Sequence, residues 1–171
     1  MGFCDKFKVD RVLCDEIFYL SEEEIGVEIG EVDILEGSTI EGTVTVTVLD
    51  CQIIEPIIDN IQVNLSVMVQ KELNIIPAGE GDPLPLEFME RLSFTATFRK
   101  CNLDNLNEIS DFLEDLECQI VRVDGMDDIT LNINEGTFDE DLIIIVKIKL
   151  TQENQLNLGL CPAQNQVEIN I

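Results

Sequence analysis

Residues 40–48 read IEGTVTVTV, and in them Val44, Val46 and Val48 alternate with Thr43, Thr45 and Thr47. A repeat of two residues puts the valines on one face of an extended chain and the threonines on the other, the pattern of a half-buried strand. The same period recurs along the chain. IQVNLSVMV turns Ile61, Val63, Leu65, Val67 and Val69 inward, and LSFTATF sets Leu92, Phe94, Ala96 and Phe98 against Ser93, Thr95 and Thr97. DITLNIN and QVEINI alternate in the same way, while LIIIVKIKL (142–150) begins apolar on both faces and then alternates, as a central strand emerging to an edge does. With KFKVDRVL, EIGVEIGEVDIL, QIIEPII and CQIVRVDG there are about eight to ten strand candidates, spaced by turn signals such as LEGS, DGMDD and NEGT. The predicted class is all-β, an antiparallel β-sandwich or jelly roll.

One segment departs from the period. NLDNLNEISDFLEDLEC (102–118) places Leu106, Ile109, Phe112, Leu113 and Leu116 on one helical face, and Asn105 with Glu108 has the spacing of a capping box. A single α-helix over about residues 105–117 is therefore expected to cover the sandwich. NIIPAGEGDPLPLEF (74–88) holds three of the five prolines and reads as a long surface loop.

Charge and composition narrow the function. The 171 residues carry 35 acidic and 10 basic side chains, a net charge of -25, which leaves no basic surface for nucleic acid or anionic membrane. The longest uninterrupted apolar run is LIIIV (142–146), far short of the roughly 18 residues of a membrane span, so no membrane insertion is expected. The chain has no histidine, which removes Ser-His-Asp and Cys-His pairs and the usual general base at neutral pH. GEGDPLP lacks the lysine and the following helix of a phosphate-binding loop. No enzyme is expected. DGMDD (124–128) and NINEGTFDED (132–141) cluster oxygen ligands in acidic loops without EF-hand spacing. No cofactor is expected, Ca2+ being the cation such loops would attract.

The six cysteines, Cys4, Cys14, Cys51, Cys101, Cys118 and Cys161, are too dispersed for a zinc knuckle. Their polar contexts make them candidates for disulfides between subunits. Cys101 and Cys118 bracket the expected helix, whose ends lie about 20 Å apart, too far for them to bond each other. The chain opens MGFCDKFKVDRVLCDE; Lys6, Lys8 and Arg11 make its first eleven residues slightly basic against Asp5 and Asp10, whereas no Lys or Arg occurs between Val12 and Gln70. The same cations break any signal-peptide core. Residues 1–16 read as a connector arm and residues 17–171 as one β-sandwich domain. Lys6, Phe7, Val9, Arg11 and Leu13 of the arm would dock as a strand on an open sheet edge of another copy. Cys4 or Cys14 would then meet a body cysteine there. Cys101 is the favoured acceptor, because Arg99 and Lys100 stabilise its thiolate. In the rival reading, residues 1–16 fold back as the first strand of their own sandwich.

FKVDRVLCDEIFYLSEEE (7–24), followed by EGTVTVTVLDC (41–51), resembles small β-domain proteins of the endospore surface in Bacillus- and Clostridium-type bacteria, the coat, exosporium and appendage subunits. The resemblance implies a subunit made without a signal peptide and cross-linked after assembly on the spore. Its partners would be copies of itself and other spore-surface proteins. The expected function is a non-enzymatic structural subunit of a disulfide-cross-linked filament or lattice. The alternative is a monomeric β-sandwich module binding a carbohydrate or a calcium-dependent ligand, against which stand the single tyrosine and the lack of tryptophan.

Overall fold

The computed structural model describes residues 6–30, 34–57, 60–99, 101 and 116–157. Six antiparallel strands run through them: β1 (Lys6–Glu28), β2 (Thr39–Ile57), β3 (Asn60–Ile76), β4 (Leu84–Thr97), β5 (Leu116–Asn132) and β6 (Thr137–Asn157). They form two three-stranded sheets, ordered β1-β6-β5 and β2-β3-β4. The second sheet is a simple meander. In the first, β5 and β6 make a hairpin and β1 pairs along the other side of β6.

The sheets face each other because each central strand has one wholly apolar side over most of its length. On β3 the inward positions Val63, Leu65, Val67 and Val69 are 0% exposed, and on β6 Ile144, Val146, Ile148 and Leu150 are 0% exposed. The threonines at 43, 45 and 47 point outward and the valines between them are half-buried, as the alternation predicts. Gly42 lies across from Leu73 in the β2–β3 register, where a Cβ would come within 2.2 Å of the Glu72 carbonyl oxygen. A side chain there would force the two strands apart.

The all-β class and the packing of two antiparallel sheets agree with the sequence, but the strand count does not. Candidates merge. QIIEPI (52–57) is the end of β2, and CQIVRVDG with DITLN (128–132) belongs to the single strand β5. DGMDD is no turn: Asp124 to Asp128 pair in register with Ile145 to Asp141 of β6, and on an edge strand their carboxylates can reach water without leaving the ladder. These acidic residues therefore stand on a strand and not in a loop. The loop expected at 74–88 shrinks to residues 77–83, since β4 begins at Leu84. Among the described residues there is no helix. Most of the helix expected at 105–117 lies outside them, and Leu116 and Glu117 open β5. QVEINI also lies outside them.

The connector arm is corrected too. Lys6, Phe7, Val9 and Arg11 pair with Asn157, Leu156, Asn154 and Gln152 of the same chain's β6. A bulge between Val12 and Cys14 turns both Leu13 and Cys14 inward, at 8% and 1% exposure. From Lys6 onward the first residues are thus the start of β1, as in the rival reading; the long apolar side of β6 needs cover on both flanks, and β1 supplies one of them.

Candidate functional site

The apolar rows are interrupted once. Continuing the inward series of β3 past Val69 gives Lys71, and continuing that of β6 past Leu142 gives Glu140; both are buried, at 2% and 3% exposure. Glu90 stands at an inward position of β4 between Phe88 and Leu92, and Glu24 of β1 pairs with Glu140 in the ladder. The four side chains meet between the sheets. Lys71 Nζ donates to Glu24 Oε2 at 2.9 Å and to Glu140 Oε2, and forms an ion pair with Glu90 Oε1 at 2.8 Å that lacks hydrogen-bond direction. Oε1 of Glu90 and Oε1 of Glu140 are buried with no hydrogen-bond donor.

The electrostatics follow from one cation facing three anions in a desolvated space. Burial alone would lower the Lys71 ammonium, but hydrogen bonds to Glu140 and Glu24 and the ion pair with Glu90 outweigh it and push its pKa up. The lysine is thus locked as a charged group, with no free amine for nucleophilic work. Its hydrogen bond holds Glu24 below the ordinary range. Burial dominates at Glu140, with the charge of Asp127 and a hydrogen bond to Glu24 adding to it against Lys71, and its carboxyl is pushed up to about 7. Glu24 and Glu140, paired across two strands, are like charges that repel unless a cation or a proton lies between them. Oxygens of Glu24, Glu90 and Glu140 lie within 4.8 Å of one another, a spacing suited to a metal ion, yet the Lys71 ammonium already sits among them. The layer works as an internal ionic clasp between the sheets. It also cuts the core in two, leaving Ile29, Leu73, Ile75 and Phe138 as a separate small cluster.

The cysteines make a second kind of clasp. Cys14 bonds Cys101 with Cα atoms 4.4 Å apart, and Cys51 bonds Cys118 with Cα atoms 5.9 Å apart. The first joins β1 to the residues after β4, where Arg99 N also donates to Glu16 Oε2 at 2.9 Å and Phe18 packs edge-on against Phe98. The second joins β2 to β5. Each disulfide therefore closes one open side of the sandwich. They lie at one level, because Cys14 and Cys118 both stand opposite Leu150, on its two flanks. The expected bonds between subunits become bonds within the chain for these four residues, since the topology sets β1 against β4 and β2 against β5. Cys14 is a core residue rather than a surface one. Cys101 does accept Cys14, from the same chain, and Cys101 and Cys118 do not bond each other. Cys4 and Cys161 lie outside the described residues.

Away from the disulfide, β2 and β5 part to leave a cleft of about 540 Å³ floored by Leu73 and Leu142 and rimmed by Glu41, Asp124 and Asp127. Reading charges at inward positions of apolar rows would have found Lys71, Glu90 and Glu140 in the sequence; Glu24 follows a less regular strand and gave no such signal. The chain matches no protein-family model, no curated protein and no solved structure.

Proposed function

We propose that this protein is a non-enzymatic structural subunit that self-assembles into a filament or lattice, as a layer or appendage of a spore surface. The observation that carries the reading is a stapled sandwich with four edge strands: among the described residues β1, β5, β2 and β4 each pair on one side only, over 14 to 23 residues. Open edges of that length accept further strands through main-chain hydrogen bonds. Disulfides at both open sides keep the subunit intact while its edges engage neighbours. The resemblance of residues 7–24 and 41–51 to spore-surface subunits supports the location.

Cross-links between copies come, on this reading, from exchange. If β1 leaves its own β6 for that of a neighbour, the same Cys14–Cys101 bond closes across the joint and covalently links the two subunits. Salt, divalent cations and mild acid favour assembly by reducing repulsion among bodies of charge -25. Negative-stain electron microscopy of the oxidised protein should show polymers, and a mixture of isotopically light and heavy protein should yield Cys14–Cys101 peptides joining the two. Monomers at every protein and salt concentration overturn the reading.

The second reading, a binding module, draws on the cleft between β2 and β5. Its acidic rim suits a cationic or hydroxyl-rich ligand, and calorimetric titration with calcium and with oligosaccharides tests it.

A further inference from the structure

The outward face of the β1-β6-β5 sheet is ordered along its length in a way that no monomer needs. On β6 the outward residues run Asp139, Asp141, Ile143, Ile145, Lys147, Lys149. The flanking strands follow the order in part, although Asp124 stands beside Ile145, Ile17 beside Lys147 and Asp15 beside Lys149. Glu23 of β1 and Asp128 of β5 lie beside Asp141; Tyr19 lies beside Ile145 and Met126 beside Ile143; Arg122 lies beside Lys147. One end is acidic, the middle apolar and the other end basic. Three of the ten cations in the chain sit in that basic end.

Two features of this face lack a partner inside the chain. Glu23, Asp141 and Asp128 form a row of like charges on neighbouring strands, an arrangement that costs stability, and among the described residues none has a Lys or Arg within 4.0 Å. Asp139 accepts from the Gly26 N–H, at 2.8 Å, and from the Asn132 side chain, with no cation within 4.0 Å among the described residues. The apolar middle is open to solvent, with Tyr19 at 71% and Met126 at 61% exposure. At the basic end Asp15 meets Lys147 at 3.4 Å and Lys149 at 3.8 Å, and Arg122 meets Asp124 at 2.6 Å, so three cations face two anions.

We propose that this face docks on the same face of a second copy, with the strands antiparallel across a two-fold axis at the level of Ile144. The order of residues selects the geometry. An axis parallel to the strands would lay lysines over lysines. An axis across the strands lays Lys147 over Asp141 of the second copy, Lys149 over Asp139 and Arg122 over Asp128, with Ile143 meeting Ile145 at the centre. Every pair occurs twice, as an isologous interface requires. Sheets stack about 10 Å apart, which lets the isoleucines touch and the long basic side chains reach across. Three strands spaced at about 4.8 Å, followed from residue 139 to 149 at about 3.3 Å per residue, cover roughly 500 Å² per copy. That is the lower limit for a specific contact, so the pair is weak alone and gains strength within an array. The proposal rests on the self-assembly reading and names one of its contacts.

Charge reversal in two variants tests it by sedimentation equilibrium, with circular dichroism as the check on folding. Lys147→Asp with Lys149→Asp, and separately Asp139→Lys with Asp141→Lys, should each weaken the wild-type dimer at least about tenfold, since like charges then oppose at both ends. Mixed in equal amounts, the two variants should form a heterodimer with every ion pair restored. Should either variant misfold, Ile143→Thr with Ile145→Thr serves instead and should weaken the dimer without touching a charge. A zero-length carbodiimide cross-link between Lys147 and Asp141 of differently labelled copies is expected. A dimer indifferent to both reversals, a mixture that stays monomeric, or a wild-type monomer at high concentration overturns the proposal. Polymers that persist under those outcomes keep the assembly reading and discard only this contact.

Discussion

The two parts of the sandwich on either side of Lys71 are built differently. On one side lie the larger core cluster, with Val63, Leu65, Val67, Ile144, Val146 and Ile148 fully buried, and both disulfides. On the other, Ile29, Leu73, Ile75 and Phe138 are the buried members of a small cluster, aided by the edge-on contact of Phe88 with Phe138 at 5.6 Å between ring centres. One part is secured by apolar area and covalent bonds. The other depends on the ionic layer that separates them, so local opening should begin there.

Removing the cation is the most direct way to break this contrast. Lys71→Ala leaves three carboxylates facing one another without a counter-charge, and losing one partner of a buried ion pair costs about 3–5 kcal/mol. Urea unfolding should show that loss, and amide exchange should show the smaller part opening well before the larger. Equal loosening on both sides would mean that the layer does not divide the molecule.

Next in size is the loss of one clip. Cys51→Ser with Cys118→Ser frees a separation of 67 residues and should lower stability by about 2–4 kcal/mol in the same assay. Here the contrast narrows, because the larger part loses some of its advantage and its exchange rates approach those of the smaller one.

A subtler probe is pH. Glu140 binds its proton more tightly in the folded chain than in the unfolded one, so its contribution is fully present below pH 4.5 and falls as pH rises through about 7. A single proton gives a slope of at most about 1.4 kcal/mol per pH unit in that window. Glu24 acts in the opposite sense: its lowered value adds stability above 4.5 that is lost on further acidification. Lys71 of β3, Glu90 of β4 and Asp127 of β5 complete the charged groups around Glu140. The urea midpoint should decline from pH 5 to 8 in the wild type and stay nearly level in Glu140→Gln. A flat wild-type profile would show Glu140 ionised throughout.

Much of this architecture was legible in the alternation, because a period of two fixes which face each residue takes. It gave the inward valines of β2 and β3 and the inward row of β4 correctly, while LIIIVKIKL, read as emerging to an edge, stays central and paired on both sides. It went astray where acidity was read as a turn: Asp124, Asp127 and Asp128 look like loop residues until their place on an edge strand is known. Lys71 was in view as the next inward position after Val69, yet a charge in an apolar row needs its partners from other strands before it has a meaning. Cys14 with Cys101 was among the expected pairs, but its closing within one chain, and the pairing of Cys51 with Cys118, were out of reach for a similar reason. Cys14 meets Cys101, and Cys51 meets Cys118, only through the way the two sheets are laid together, which local patterning does not encode.

The order of the bonded cysteines along the chain, 14, 51, 101 and 118, means that the two disulfides interleave rather than nest. Under tension applied at the ends of the chain, force would pass from Cys14 straight to Cys101 and on towards Cys118, bypassing β2, β3 and β4. The segment from Cys14 to Cys101, a separation of 87 in a chain of 171 residues, would stay slack, withholding roughly 300 Å of contour at about 3.5 Å per residue. About half of the chain's length would thus be released only once the bonds are reduced, so the redox state of the surroundings would set how far the chain extends.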